Sequence, residues 1–324
     1  MKLSAGVLVK PLCASAYTLS LCLSWIALRG KVLPLRVFVF TSICLVALIL
    51  SGCSTPSEGI ARQADSFGFV SEVVVAQGFE HQVYRKPLVP TAKDPVLHVY
   101  LEGDGRPWLR PTVIAQDPTS RSPLMLKLMA EDTQPSLYLG RPCYHGYYNN
   151  SLCHPELWTR ARYSETVVAS MAEVLELIIA EEQIKGLVIF GHSGGATLAV
   201  LLAARMSKTL AVVTLAGNLD IDAWAAGHDY APLTGSLNPA TSTILNPDIR
   251  QLHLVGGEDE NVEREFVTAF VSRQKNAQLV EMAEYDHACC WQQVWPQVLA
   301  WSAAIGSEKN ASGVAFESFL ALPQ

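Results

Sequence analysis

The sequence predicts an α/β fold, a mostly parallel central sheet with helices on both faces. Three observations carry that prediction. Between residues 70 and 305, short apolar runs of strand length alternate with longer stretches of helical periodicity, the order a parallel sheet with crossover helices requires. The run Leu187–Phe190 is apolar throughout, as a strand covered on both faces must be. That run passes through Gly191-His192-Ser193-Gly194-Gly195 into an alanine- and leucine-rich stretch of helical character. The chain has 324 residues, half of them hydrophobic, enough for one large core, and shows no internal repeat or second domain.

The first 52 residues are read apart from the fold. The apolar run Val37–Leu50 follows Lys31 and Arg36 and ends at Ser51-Gly52-Cys53. Basic, apolar, then small is the order of a secretory signal, and the run is short for a spanning helix. Leu50-Ser51-Gly52-Cys53 resembles the lipobox of bacterial lipoproteins. The resemblance implies cleavage before Cys53 and lipidation of Cys53. Ser54 in place of aspartate implies the outer membrane of a two-membrane bacterium, facing the periplasm. A weaker apolar segment in residues 1–30 lies upstream of this complete signal, so the expected translation start is nearer Lys31. Residues 1–52 carry five basic residues and no acid, so their removal takes the formal charge from −6 to −11. So acidic a chain argues against nucleic acid as a partner. The lipid is the expected membrane anchor.

Residues 53–66, polar with Pro56 and Gly59, read as a tether, and 67–305 as the folded domain. Val70–Ala76 and Glu80–Arg85 are expected to pair antiparallel. Pro95–Glu102 reads as a strand running into Gly103-Asp104-Gly105. A helix is expected over Leu124–Glu131 and a strand over Ser136–Gly140, followed by a long loop rich in Tyr, Cys, His and Asn. Ser164 caps an amphipathic helix with Glu165 in its first turn. Beyond the turn at Ser193 come a buried strand, Leu210–Ala216, and an irregular segment, 217–249, interrupted by Pro232, Pro239 and Pro247. Gln251–Val255, Val262–Ser272, Gln278–Ala283 and Trp291–Ile305 read as strand, helix, strand and helix, the last despite Pro296. The tail 306–324 reads as a weakly ordered C-terminal extension.

Of eight cysteines, Cys13, Cys22 and Cys44 precede the cleavage point and Cys53 would carry the lipid. Cys143, Cys153, Cys289 and Cys290 are disulfide candidates in an exported chain. Cys143 with Cys153 closes a short loop and is the preferred pairing. Neighbours such as Cys289 and Cys290 are disfavoured as a pair, because so small a ring distorts the bond geometry. Cross-pairing between the two sets stays open. The spacings match no zinc pattern, and neither a metal nor a cofactor is expected.

Strand, Gly-x-Ser-x-Gly, helix is the context of a nucleophile elbow. In so tight a turn the side chains two positions either side of Ser193 would collide, and Gly191 and Gly195 remove them. The helix that follows aims backbone N–H groups at any oxyanion forming beside the hydroxyl. Two later turns matter. In Leu254-Val255-Gly256-Gly257-Glu258-Asp259-Glu260-Asn261-Val262 the glycines end a strand and Asp259 stands three residues before Val262. In Tyr285-Asp286-His287-Ala288-Cys289-Cys290-Trp291, His287 lies between the last strand and the last helix. Together these resemble the α/β-hydrolase fold over residues 70–305, where the order is nucleophile, acid, histidine.

The resemblance implies Ser193 as nucleophile, Asp259 as acid and His287 as base, with Asp220 or Asp222 the alternative acid. Glu258 and Glu260 flank Asp259 in the tight turn and point elsewhere. His192 sits on the wrong side of the elbow, His253 lies within a strand, and His228 falls in the irregular segment. The implied oxyanion donors are the N–H of Gly194 and that of Asp104 or Gly105. Here the sequence departs from the family, with Glu102 where many relatives have histidine. The Asp104 carboxylate must turn away from a developing oxyanion, and Arg106 is its expected partner. Trp108, Tyr144, Tyr147, Tyr148, Trp158 and Trp224 are candidate pocket walls. The segment after residue 216 is short for a large cap, so an open site is expected. The implied function is a serine hydrolase acting on a small-molecule carboxylic ester, with thioester or amide open. The alternatives are an acyltransferase and a non-catalytic envelope lipoprotein that uses the fold for binding.

Overall fold

In the computed structural model, which describes residues 55–86, 95–306 and 315–320, eight strands join in one sheet. The signal segment and Cys53 lie outside the described residues. Strands β1 (Val70–Ala76) and β2 (Phe79–Arg85) pair antiparallel, as expected, and β2 runs antiparallel to β6 (Ser136–Leu139). From β6 the sheet is parallel through β3 (Val96–Leu101), β7 (Gly186–His192), β8 (Thr209–Leu215), β9 (Arg250–Gly256) and β10 (Ala277–Met282). A separate two-stranded hairpin, β4 (Trp108–Arg110) with β5 (Val113–Ile114), stands outside this sheet.

Why β7 is apolar at every position follows from the two cores it separates. Leu187 and Ile189 enter one cluster, Val188 and Phe190 the other, because successive strand side chains point to opposite faces. The first cluster is closed by helices α3 (Glu165–Glu181) and α4 (Gly194–Ala203). Ser164 caps α3 by accepting the Val167 N–H. The second is closed by α1 (Pro56–Ser66), α2 (Leu124–Glu131) and α8 (Trp291–Gly306). Between β8 and β9 stand only two short helices, α5 (Ile221–Gly227) and α6 (Pro239–Ser242), so there is no large cap. Helix α7 (Arg264–Val271) joins β9 to β10.

Two terminal expectations need correction. The segment read as a tether forms α1, which buries Ile60 and Ala64 in the core. Its start is a capping box: Thr55 accepts the Glu58 N–H, and Glu58 accepts the Thr55 N–H. Burying two apolar side chains outweighs the polar average of this stretch. Within the stretch read as a weakly ordered extension, residues 315–320 pack on the domain. Phe316 is fully buried and its N–H donates to Gln278 Oε1, just ahead of a short helix, α9 (Glu317–Leu320).

Cys143 and Cys153 are joined in the expected disulfide, their Cα atoms 5.6 Å apart. Cys289 and Cys290 are joined to each other, against expectation. The first bond occupies both cross-partners, which leaves the neighbours to one another.

Candidate active site

Ser193 stands between β7 and α4 at φ +54° and ψ −123°, a conformation L-residues rarely adopt. The glycines that permit it do so by close approach. A Cβ on Gly191 would run into the Gly195 carbonyl, and one on Gly195 into the carbonyls of Leu101 and Glu102. Ser193 N–H donates to Leu215 O, tying the turn to β8.

The structure brings Ser193, His287 and Asp259 together. His287 Nε2 lies 3.0 Å from Ser193 Oγ, and Nδ1 lies 2.9 Å from Asp259 Oδ2. The other oxygen of Asp259 accepts the backbone N–H groups of Asn261 (2.9 Å) and Val262 (2.8 Å). Its side chain is fully buried, whereas His287 is 26% exposed. A carboxylate so held keeps the Nδ1 proton and leaves Nε2 as an acceptor facing Ser193. The alternative acids lie elsewhere: Asp220 caps α5, and both Asp220 and Asp222 accept from Asn238 Nδ2.

The loop after β3 lies against the elbow. A Cβ on Gly194 would meet the Asp104 carboxylate and the Tyr163 hydroxyl, so these groups touch the backbone at the first residue of α4. The Asp104 carboxylate lies beside Gly194, and Arg106 is not its partner, donating instead to Leu109 O. Arg141 Nη1 and Arg162 Nη1 each donate to it at 2.7 Å and Tyr163 Oη at 2.6 Å. Two fixed, buried guanidiniums outcompete a neighbour whose side chain is exposed. Arg141 also donates to Glu102 O, and Tyr144 Oη to Asp104 O. Burial pushes the Asp104 carboxyl up, but Arg162, Arg141 and Tyr163 outweigh it and hold it well below the usual carboxylate range. Glu102 is raised to about 7 by burial and accepts the N–H groups of Gly103 and Met125.

Further side chains surround His287. His192 Nε2 donates to the His287 carbonyl at 2.7 Å. Asn261 Nδ2 approaches His287 Nε2 at 3.1 Å, and its carbonyl accepts from Trp224 Nε1 (3.0 Å) and His228 Nε2 (2.8 Å). His253 is buried against Thr214, as its place within a strand predicts. Among the candidate pocket walls, Tyr144 and Trp158 are buried and spend their polar atoms on the Asp104 and Ala115 carbonyls.

Neither the family models nor the curated proteins compared with this sequence give a match. Solved structures do. A bacterial membrane phospholipase A aligns with a TM-score of 0.51 at 14% identity, over 84% of this chain and 99% of that one. An esterase of Pyrococcus furiosus aligns at 0.50 and 14%, over 79% and 92%. An acylaminoacyl peptidase of Pyrococcus horikoshii aligns at 0.53 and 12%; 78% of this chain matches 44% of that one, less than half the peptidase. At these identities the similarity concerns the fold, and this chain has the α/β-hydrolase fold.

Proposed function

We propose that this chain is a serine hydrolase that cleaves a carboxylic ester through an acyl-enzyme. The observation that carries the reading is the continuous path from Ser193 Oγ through His287 to buried Asp259, at 3.0 and 2.9 Å. Ser193 Oγ attacks the ester carbonyl carbon while its proton passes to His287 Nε2. Asp259 holds the ring and stabilises the imidazolium. The N–H groups of Gly194 and Asp104 receive the oxyanion, and loss of one such donor costs about 10²–10³ in rate. Collapse of the tetrahedral intermediate expels the alcohol, which takes the proton from His287. Water then repeats the sequence and releases the acid. The esterase and phospholipase A among the structures of similar fold support an ester. The peptidase keeps an amide within the same machinery. We place the enzyme at the cell envelope, tethered by a lipid on Cys53 and facing the periplasm, on the strength of Leu50-Ser51-Gly52-Cys53.

Replacing Ser193 by Ala tests this reading with a panel of esters of graded acyl length. Hydrolysis is expected to vanish in a protein with unchanged circular dichroism. Ester turnover that survives the substitution would overturn the reading.

A further inference from the structure

Directly after the loop that carries Asp104, the chain leaves the domain as the β4–β5 hairpin. Trp108, Leu109, Val113 and Ile114 on it are 40%, 45%, 44% and 38% exposed. Trp108 pairs with Ile114 across the ribbon and Arg110 with Val113, with an irregularity at Leu109, so four exposed apolar side chains stand beside an arginine on one short ribbon. Residues 105–121 also carry Arg106, Arg110 and Arg121 against one acid, Asp117. The Asp117 carboxylate is occupied, accepting Ser57 Oγ at 2.6 Å and the Thr119 N–H at 3.1 Å. A basic, tryptophan-bearing apolar tip on an otherwise acidic chain has the composition of elements that sit at a lipid–water interface.

The attachment of α1 points the same way. Ser57, in the first turn of α1, is held by Asp117, three residues beyond the end of β5. Cys53 lies four residues before Ser57, at most about 14 Å of extended chain. A lipid on Cys53 would bring the bilayer to the side of the domain that carries the hairpin.

We propose that the β4–β5 hairpin is a membrane-docking element. It inserts Trp108, Leu109, Val113 and Ile114 among the acyl chains of an anionic bilayer, while Arg106, Arg110 and Arg121 meet the headgroup phosphates. Its base is closed by Arg106 N–H to Pro118 O and Ala115 N–H to Pro107 O, both 2.8 Å, and held to the domain by Trp158 Nε1, which donates to Ala115 O at 3.0 Å. Docking therefore seats the Ser193 site at the membrane surface. Resting on the hydrolase reading, the substrate class becomes an ester of a membrane lipid.

The full-length chain, with Trp25→Phe in every sample, is reconstituted in phosphatidylglycerol–phosphatidylethanolamine vesicles with brominated acyl chains, and tryptophan quenching is read. Trp108 is the one exposed tryptophan among the described residues. Most of the quench is expected to be lost in Trp108→Phe and in Val113→Asn/Ile114→Asn. Equal quench in wild type and Trp108→Phe would overturn docking, as would a hairpin-dependent dimer in sedimentation with no quench. Vesicles of phosphatidylcholine alone are expected to give weaker quench, and equal quench there would overturn the role of the arginines. The quench needs no hydrolysis, so failure of the ester reading leaves it intact. For the substrate class, Val113→Asn/Ile114→Asn is expected to lose rate on a vesicle-borne ester and keep its rate on a short soluble one. Unchanged relative rates would overturn the lipid-ester inference while docking stands.

Discussion

His192 Nε2 donates a hydrogen bond to the carbonyl oxygen of His287, so the residue before Ser193 grips the backbone of the residue that faces Ser193. The ring that does this is neutral over most of the pH range, because burial and the neighbouring His287 lower its pKa to about 4. A neutral imidazole with its proton on Nε2 is suited to the task. It fixes a carbonyl without placing a second positive charge beside the base.

His192→Ala is therefore expected to lower kcat by up to about 10²-fold with little change in KM, since a small displacement of a catalytic group has that cost. His192→Gln, which keeps a donor, is expected to recover part of the loss. Steady-state kinetics on a soluble ester check both. A change in KM alone would assign His192 to substrate binding instead.

Arg162→Met leaves the largely buried Asp104 carboxylate with one guanidinium in place of two. Breaking a buried pair on one side costs about 3–5 kcal/mol, so the denaturation midpoint is expected to fall sharply. At temperatures where the variant remains folded, kcat is expected to drop by roughly tenfold or more, because the N–H proposed as an oxyanion donor belongs to Asp104. Arg205→Met serves as the control. Its pair with Glu165 is largely exposed, and such pairs contribute about 0–1 kcal/mol. Equal loss in both variants would remove any special standing for the Asp104 cluster.

Four histidines whose pKa is lowered by burial oppose folding in acid. Burial lowers His81 and His145 to about 4 and His253 to about 3, and His192 stands at about 4. In the unfolded chain each titrates near 6.5, so below that pH the unfolded state binds protons that the folded state refuses. Stability then falls as pH drops from about 6.5 toward 4. Each histidine contributes about 3 kcal/mol to that loss, at about 1.4 kcal/mol per pH unit. Glu102 acts in the opposite direction: raised to about 7, it favours folding as pH falls through 7 and offsets about one histidine. The remainder is comparable to the whole stability of a domain, about 5–15 kcal/mol. Cooperative unfolding is expected between pH 6.5 and 4, read by circular dichroism and urea midpoints. A midpoint unchanged from pH 7 to pH 4.5 would contradict it.

What the sequence discloses is local. Ser193, Asp259 and His287 are legible because each sits at the end of an apolar run, the first two beside glycines that only a tight turn needs. The strands and main helices follow from periodicity for the same reason. Asp104 shows the limit. Its partners Arg141 and Arg162 lie 37 and 58 residues away, while sequence proximity favours Arg106. Only the stacking of β6 beside β3 brings Arg141 within reach. Helix α1 is hidden by polar composition, although Thr55, Pro56 and Glu58 spell a capped start. The β4–β5 hairpin, of three and two residues, is too short for its periodicity to register.

The central claim is an activated Ser193, and a fluorophosphonate tests it without any guess about substrate. Full-length protein is treated with the probe and digested, and the labelled peptide is mapped by mass. Label is expected on Ser193 and on no other serine, and is expected to be lost in His287→Ala and in Asp259→Ala. A folded protein that stays unlabelled, or one labelled equally with and without His287, would contradict the account.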